Sequence, residues 1–156
     1  MIRIVWGIGR GQTAKASFDG ALFEANLHQY NLRQLSSVIP ADVPLVEAES
    51  APDLGATGNG LDVVMARQTS RPGARASAGL AWVREFPEGP GIFYEVDNHD
   101  PETVAERLRT GIEHGCELRD LNPDKIETKI VTADPAPDQY TTAVVIATYG
   151  ESEPLV

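Results

Sequence analysis

The chain has 156 residues, of which 42% are hydrophobic, and a formal net charge of −10. This length predicts one domain over residues 1–156, and the apolar content suits a folded core. Dispersed acidic residues without a basic patch argue against nucleic acid or a membrane as a partner. No stretch approaches the roughly 18 apolar residues of a membrane helix, and no leader peptide is recognisable, so we expect a cytoplasmic protein.

The first sixty residues predict a strand, a helix and a second extended segment. The apolar run 2–6 is typical of a strand, which three closely spaced glycines would end in a turn. Apolar side chains at helical spacing predict a helix over 16–27 with one buried face. An extended pattern over 31–39 stops at a proline. The Pro-, Gly- and acid-rich segment 41–60 predicts a long loop with a short strand at 43–46.

Three strands, a helix and two further strands are predicted in the rest of the chain. Asp100 can cap this helix, Pro101 suits its first position, and Gly115 can end it. Its apolar stripe consists of Val104, Leu108 and Ile112. The five predicted strands are 61–69, 76–86, 91–96, 126–132 and 141–149.

The balance of elements indicates the fold class. Two main helices stand against six or seven strands, and most neighbouring strands have no helical crossover between them. The sequence therefore predicts an α+β fold, a layered sandwich of mainly antiparallel sheets.

Common catalytic and binding motifs are absent or incomplete. The GIGRG run at 7–11 follows a strand and precedes a helix, but it lacks the glycine spacing of a dinucleotide site and a Walker lysine. A nucleotide-binding module therefore stays a distant alternative. The three histidines show no metal-ligand spacing, Cys116 is the only cysteine, and there is no G-x-S-x-G motif. We expect neither a metal site nor a serine triad.

Several short motifs lie in the order and at the approximate spacing found in one enzyme family. They are FDGAL at 18–22, YNL at 30–32, LSSVIP at 35–40, SRPG at 70–73 and GIFYE at 91–95. With these motifs, which are spread over most of its length, the chain resembles the pyruvoyl-dependent arginine decarboxylases. It departs from the family pattern at 25–29, where a glycine-containing turn is usual, and at Lys15, where an apolar residue is common.

The resemblance implies a self-processing enzyme. The hydroxyl of Ser37 would attack the carbonyl of Ser36, giving a β chain of residues 1–36 and an α chain of residues 37–156. The α chain would begin with a pyruvoyl group derived from Ser37, with no pyridoxal phosphate (PLP) and no metal required. This group would form a Schiff base with a small amino acid substrate and act as the electron sink, converting L-arginine to agmatine and CO₂.

The resemblance also assigns roles to individual side chains. Glu95 matches the proton donor, whose pKa burial would have to raise, and Asp19 matches the acid that contacts the guanidinium. Asn31 matches an asparagine that polarises the Ser36 carbonyl. Without the resemblance, an outward acid on a strand edge would be the preferred interpretation of Glu95, and Asp19 could be a charge that stabilises the first turn of its helix. Residues matching the rest of the substrate pocket are Leu22, Tyr30 and Val38.

The position of Asn31 bears on the assembly. Six residues of straight strand span about 20 Å, so Asn31 could not reach Ser37 of its own chain without a bend. The alternative is that Asn31 and Asp19 act on a neighbouring subunit. The family forms trimers with sites between protomers, so we expect a homotrimer or hexamer.

Two alternatives to an arginine decarboxylase stay open at this stage. The departure at 25–29 could reshape the pocket for another amino acid with the same pyruvoyl chemistry. The chain could also be an unprocessed, inactive homologue that serves as a binding subunit, although both serines and Glu95 are present.

Overall fold

Nine strands form two sheets, and one long helix covers the outer face of each. The computed structural model describes residues 1–156. The elements are β1 (Ile2–Gly11), α1 (Ala14–Glu24), β2 (Asn31–Gln34), β3 (Val38–Ile39), β4 (Leu45–Glu49), β5 (Gly60–Ser70), β6 (Ala76–Arg84), β7 (Gly91–Asn98), α2 (Pro101–Arg119), a 3₁₀ turn (Pro123–Lys125), β8 (Glu127–Ala133) and β9 (Tyr140–Tyr149).

The sheets pack face to face as a sandwich. One sheet has the strand order β2-β5-β9-β1-β4 and the other β3-β7-β6-β8. All pairs are antiparallel except β1 with β4 and β2 with β5. The core between the sheets includes Ile4, Leu80, Phe93 and Val145. The predicted α+β sandwich of mainly antiparallel sheets is confirmed.

The glycines of β1 allow α1 to lie directly on the strand. A Cβ at Gly7 or Gly9 would collide with the main chain of Ala21 in α1. The prediction that these glycines end the strand in a turn is wrong, because β1 continues to Gly11 and pairs with β9 along its full length. The helix begins two residues earlier than predicted, capped by Thr13, and ends at Glu24.

The chain between α1 and β4 changes sheets. Residues predicted as one extended segment, 31–39, form β2 in one sheet and β3 in the other. The break at 35–37 contains Ser37, whose φ is 75°. Such a left-handed conformation interrupts an extended strand.

Helix α2 begins as predicted and ends later. The Asp100 side chain accepts a hydrogen bond from the N–H of Thr103 at 3.2 Å, and Pro101 takes the first position. A second hydrogen bond, from the Thr103 hydroxyl, is the main cause of the lowered pKa of Asp100. Gly115 does not end the helix. It lies where a Cβ would collide with the Ile92 side chain, and α2 continues to a left-handed Asp120.

Neither helix is long and apolar enough to cross a membrane.

Candidate active site

The segment that links the two sheets presents two serines at the surface. Ser37 is the more buried of the two, and its hydroxyl donates to the Glu95 carboxylate, at 2.7 Å from Oε2 and 3.0 Å from Oε1. Its positive φ is uncommon for a residue with a Cβ. A serine hydroxyl is thus held against a carboxylate by a strained turn.

Hydrogen bonds fix this turn on both sides and leave its centre free. Upstream, the N–H of Leu35 donates to the Val63 carbonyl at 2.8 Å. Downstream, the N–H of Phe93 donates to the Ser37 carbonyl at 2.8 Å. Ser36 makes no main-chain hydrogen bond, so its carbonyl has no donor within the chain. The Ser36–Ser37 peptide therefore lies between two main-chain hydrogen bonds, one made by the Leu35 N–H and one by the Ser37 carbonyl.

Glu95 lies on β7, two residues beyond Phe93 and on the same face of the strand. Phe93 is buried between the sheets, whereas Glu95 is exposed in the single chain. The expected burial of this carboxyl is therefore wrong for an isolated protomer, because the inter-sheet core ends before Glu95. The pKa of the Tyr149 phenol lies far above its ordinary value. Burial of the phenol is the main cause, and the nearby Glu95 carboxylate is the second.

A cavity of about 270 Å³ surrounds the two serines. β7 and the second half of α2 form its walls, and Gly111 lets the Tyr94 ring pack against the helix where a Cβ would collide with it. Beside the serines, its lining includes Glu95, His114, Leu118 and Arg119. This cavity brings together three of the residues predicted for the site: Ser36, Ser37 and Glu95.

A second cavity, of about 800 Å³, lies beside α1. It is lined by four other predicted residues: Asp19, Leu22, Tyr30 and Asn31. The Tyr30 hydroxyl accepts the Leu54 N–H at 2.9 Å, and the Asn31 amide donates to the Gly58 carbonyl at 2.9 Å. These bonds fix the two side chains against the 51–59 loop.

Two cations also line the second cavity: Lys15, where the sequence departs from the family pattern, and Arg67, which the sequence did not single out. Lys15 and Arg67 lie there with Asp19, and the Arg67 guanidinium stacks 4.1 Å from the centre of the Phe18 ring. Arg67 occupies an ordinary alternating position of β5, so no local pattern distinguishes it. This cavity combines one carboxylate with two cationic side chains.

The two cavities have no lining residue in common. Val38, the remaining predicted residue, is 56% exposed and lines neither cavity. The predicted site residues thus form two separate groups in one chain, one beside α1 and one around the serines.

Comparison with known proteins identifies the family. A family model described as pyruvoyl-dependent arginine decarboxylase (PvlArgDC) matches residues 1–154. The chain belongs to the pyruvoyl-dependent arginine decarboxylase family. It is 49% identical to the pyruvoyl-dependent arginine decarboxylase of Halobacterium salinarum, over 99% of this chain and 96% of the relative. It is 30% identical to that of Methanopyrus kandleri, over 92% and 91%, and 31% identical to that of Pyrococcus abyssi, over 89% of each.

The family's name implies a pyruvoyl cofactor in place of pyridoxal phosphate, and the surroundings of Ser37 fit such a group. A pyruvoyl group made from Ser37 would retain the Ser37 carbonyl as its amide carbonyl. That oxygen already accepts the N–H of Phe93, which would hold and polarise it. The Ser37 hydroxyl, which processing removes, points to Glu95 and has space around it.

Proposed function

We propose that the chain cleaves itself between Ser36 and Ser37 and then converts L-arginine to agmatine and CO₂. The observation that carries the proposal is the left-handed conformation of Ser37, with its hydroxyl on the Glu95 carboxylate. Family membership supports the same reaction.

The positive φ is what lets the Ser37 oxygen approach the Ser36 carbonyl. Because Cα is tetrahedral, the torsion that places Cβ relative to the preceding carbonyl carbon is about 120° less than φ. At the usual φ of roughly −60 to −120°, Cβ points away from that carbon. At a φ of 75° the torsion is only about −45°, and the five-membered ring formed by the attack can close.

The cleavage then follows from groups of this chain. The Ser37 oxygen bonds to the Ser36 carbonyl carbon and its proton passes to the Glu95 carboxylate, which accepts from it at 2.7 Å. The bond between the Ser36 carbonyl carbon and the Ser37 nitrogen breaks, and the nitrogen takes up a proton. An ester and a free amine result. Loss of the Ser37 Cα proton expels Ser36 as a carboxylate. Water then adds to the resulting dehydroalanine, whose nitrogen leaves as ammonia, and a pyruvoyl group remains.

Decarboxylation uses the same carboxyl group for a second proton transfer. A pyruvoyl carbonyl supplies the electron sink for the bond to the departing CO₂. Glu95 lies beside the position that the Ser37 hydroxyl leaves, so it can deliver a proton to the substrate carbon that has lost its carboxylate. Asp19 would pair with the guanidinium, which has the planar fork that a carboxylate binds best.

The separation of the two groups supports a site shared between protomers. The cavity around the serines has no acid suited to a distant guanidinium, since Glu95 is already against Ser37. Asn31 uses one amide hydrogen on Gly58 and has a second for a neighbour's Ser36 carbonyl, which has no donor in its own chain. Joining one protomer's α1 cavity to the next protomer's serines would close a trimer, or a hexamer of two trimers.

Intact mass under denaturing conditions tests the self-cleavage. The wild type should give two fragments, residues 1–36 and a pyruvoyl-blocked 37–156, whereas Ser37→Ala should stay whole. Ser50→Ala, a change at an exposed serine without side-chain hydrogen bonds, should cleave as the wild type does. Two fragments from Ser37→Ala, or an intact wild type, would show that the assignment is wrong.

Another amino acid as substrate is the second candidate, and one observation favours it. Lys15 and Arg67 beside Asp19 give the α1 cavity two cations and one carboxylate. An acidic side chain could pair with those cations. Direct comparison of amino acids as substrates separates the two candidates.

A further inference from the structure

The phenol of Tyr149 bridges the two sheets at the turn that holds the serines. Tyr149 is the last residue of β9, in the five-stranded sheet. Its hydroxyl donates to the carbonyl of Val38, in β3 of the other sheet, at 2.8 Å. Its ring packs edge-on against Phe93, with centroids 6.3 Å apart. One side chain therefore contacts the residue after Ser37 and the residue whose N–H holds the Ser37 carbonyl.

The turn needs such an anchor because Ser37 is held in a conformation that a free chain would leave. A left-handed φ costs roughly 1–2 kcal/mol for a residue with a Cβ, and relaxation to negative φ would turn the hydroxyl away from the Ser36 carbonyl. Only two residues, Val38 and Ile39, pair with β7 on this side. So short a strand contributes little to keeping the turn in place.

The other anchors of the segment lie farther from the scissile peptide. Arg84 donates to the carbonyls of Val43, at 2.7 Å, and Pro40, at 3.3 Å. Pro40 is three residues beyond Ser37, so a pivot about the intervening bonds would still free the turn. Among side-chain donors, Tyr149 acts nearest to Ser37 on its downstream side.

We propose that Tyr149 is a positioning residue for self-cleavage, which holds Val38 so that Ser37 keeps its left-handed, attacking conformation. The inference rests on the proposed cleavage at Ser36–Ser37. Burial, and secondarily the nearby Glu95 carboxylate, raises the pKa of the Tyr149 phenol, which favours the protonated form that donates to Val38.

The test follows cleavage from the moment of synthesis. Wild type and Tyr149→Phe are made by cell-free translation, and the fragments 1–36 and 37–156 are quantified over time. The control is Ser70→Ala, which also removes a hydroxyl donor to a main-chain carbonyl, that of Arg75 at 2.6 Å, away from the turn. We expect Tyr149→Phe to cleave about tenfold more slowly, the effect of one hydrogen bond acting on the attacking conformation. Ser70→Ala should cleave at the wild-type rate.

Hydroxylamine separates positioning from a general loss of structure. It cuts the ester as soon as the Ser37 oxygen has attacked, so its effect reports on that first step. In Tyr149→Phe, hydroxylamine-driven cleavage should slow by the same factor as spontaneous cleavage, while circular dichroism shows a folded protein. Tyr149→Met, which lacks ring and hydroxyl, gives a second measurement and should be at least as slow.

The outcomes distinguish this inference from the function on which it rests. If the wild type cleaves and both Tyr149 variants match Ser70→Ala, with or without hydroxylamine, the inference is overturned and the proposed function stands. If the wild type does not cleave, both are overturned.

Discussion

At the residue scale, the backbone angle of one serine decides whether its hydroxyl can act on the preceding carbonyl. Six residues other than glycine have a positive φ, and Ser37 is the only one of them with a hydroxyl. Three of the other five, Asn26, Asp42 and Asp120, are of the types that tolerate this conformation at turns and helix ends. The remaining two are Glu49 and Glu88. A serine in this position has a structural cost that a role in self-cleavage explains.

Glu95→Gln should separate decarboxylation from processing. The amide oxygen can still accept a hydrogen bond from the Ser37 hydroxyl but cannot take its proton, so the two fragments should still form, more slowly than in the wild type. Turnover of the cleaved protein should fall by about 10²–10⁴-fold, because an amide cannot deliver the proton. The assay measures CO₂ release by protein whose cleavage has been verified by mass.

The matched control for this carboxyl is Asp97→Asn, two residues farther along β7 and outside the cavity around the serines. Its turnover should stay within about twofold of wild type. A fully cleaved Glu95→Gln protein with the turnover of this control would remove Glu95 from the mechanism.

Asp19→Asn tests the substrate. Losing the charged partner of a guanidinium should lower kcat/KM for arginine by roughly 30- to several-thousand-fold, with processing unchanged. The measurement compares arginine, lysine, ornithine, histidine and aspartate on cleaved protein. Glu24→Gln, at the end of the same helix but outside the cavity, should keep wild-type kcat/KM. A wild type that prefers aspartate would contradict the arginine assignment and favour pairing with Lys15 and Arg67.

At the element scale, local signals were reliable where a few adjacent residues decide the outcome. Asp100 and Pro101 were sufficient to place the start of α2, because capping depends on neighbours in sequence. The end of α2 and the length of β1 were predicted wrongly. Gly115 packs against Ile92 and Gly9 against Ala21, and contacts between distant residues leave no local pattern.

Gly9→Ala should test the close approach of α1 and β1. Its Cβ would collide with the main chain at Ser17 and Ala21, and a helix backbone cannot move aside as a side chain can. We expect a loss of about 2–3 kcal/mol in the free energy of unfolding, measured by urea denaturation.

The control for that substitution is Gly89→Ala, whose Cβ would have its nearest contacts with the exposed Phe86 ring, at 3.0 Å. That ring can turn away, so the loss should be under about 1 kcal/mol. Equal losses in the two variants would show that α1 is not held this closely against the strand.

At the scale of the whole molecule, the fold class followed from the count of helices and strands, but the layout of the site did not. The motifs marked Asp19, Asn31, Ser37 and Glu95 without indicating which share a cavity. The chain changes sheets between Asn31 and Ser37, and that change places them in separate groups. No sequence pattern marked Tyr149 as a site residue. It ends an apolar strand, and which residues of the other sheet it contacts is decided only by how the two sheets pack.

Mixing two variants, each impaired in a different group, tests whether the two groups meet between protomers. Asp19→Asn impairs only the α1 cavity, and Ser37→Ala impairs only the serine cavity. In a ring of head-to-tail contacts, random assembly would pair an intact serine group with an intact α1 group at about one quarter of sites. Co-expressed variants should therefore recover about a quarter of wild-type arginine decarboxylation, far above either parent alone.

The matched control mixes two variants that damage the same group, Ser37→Ala and Glu95→Gln. Every site would then contain one defective serine group, whichever protomer supplies it, so activity should stay at the level of the parents. A site built within one protomer predicts no recovery in either mixture, because each chain carries its own defect. Recovery in both mixtures would place Ser37 and Glu95 on different protomers, contrary to the 2.7 Å hydrogen bond between them. Only a shared site, with Asp19 facing a neighbour's Ser37, gives recovery in the first mixture and none in the second.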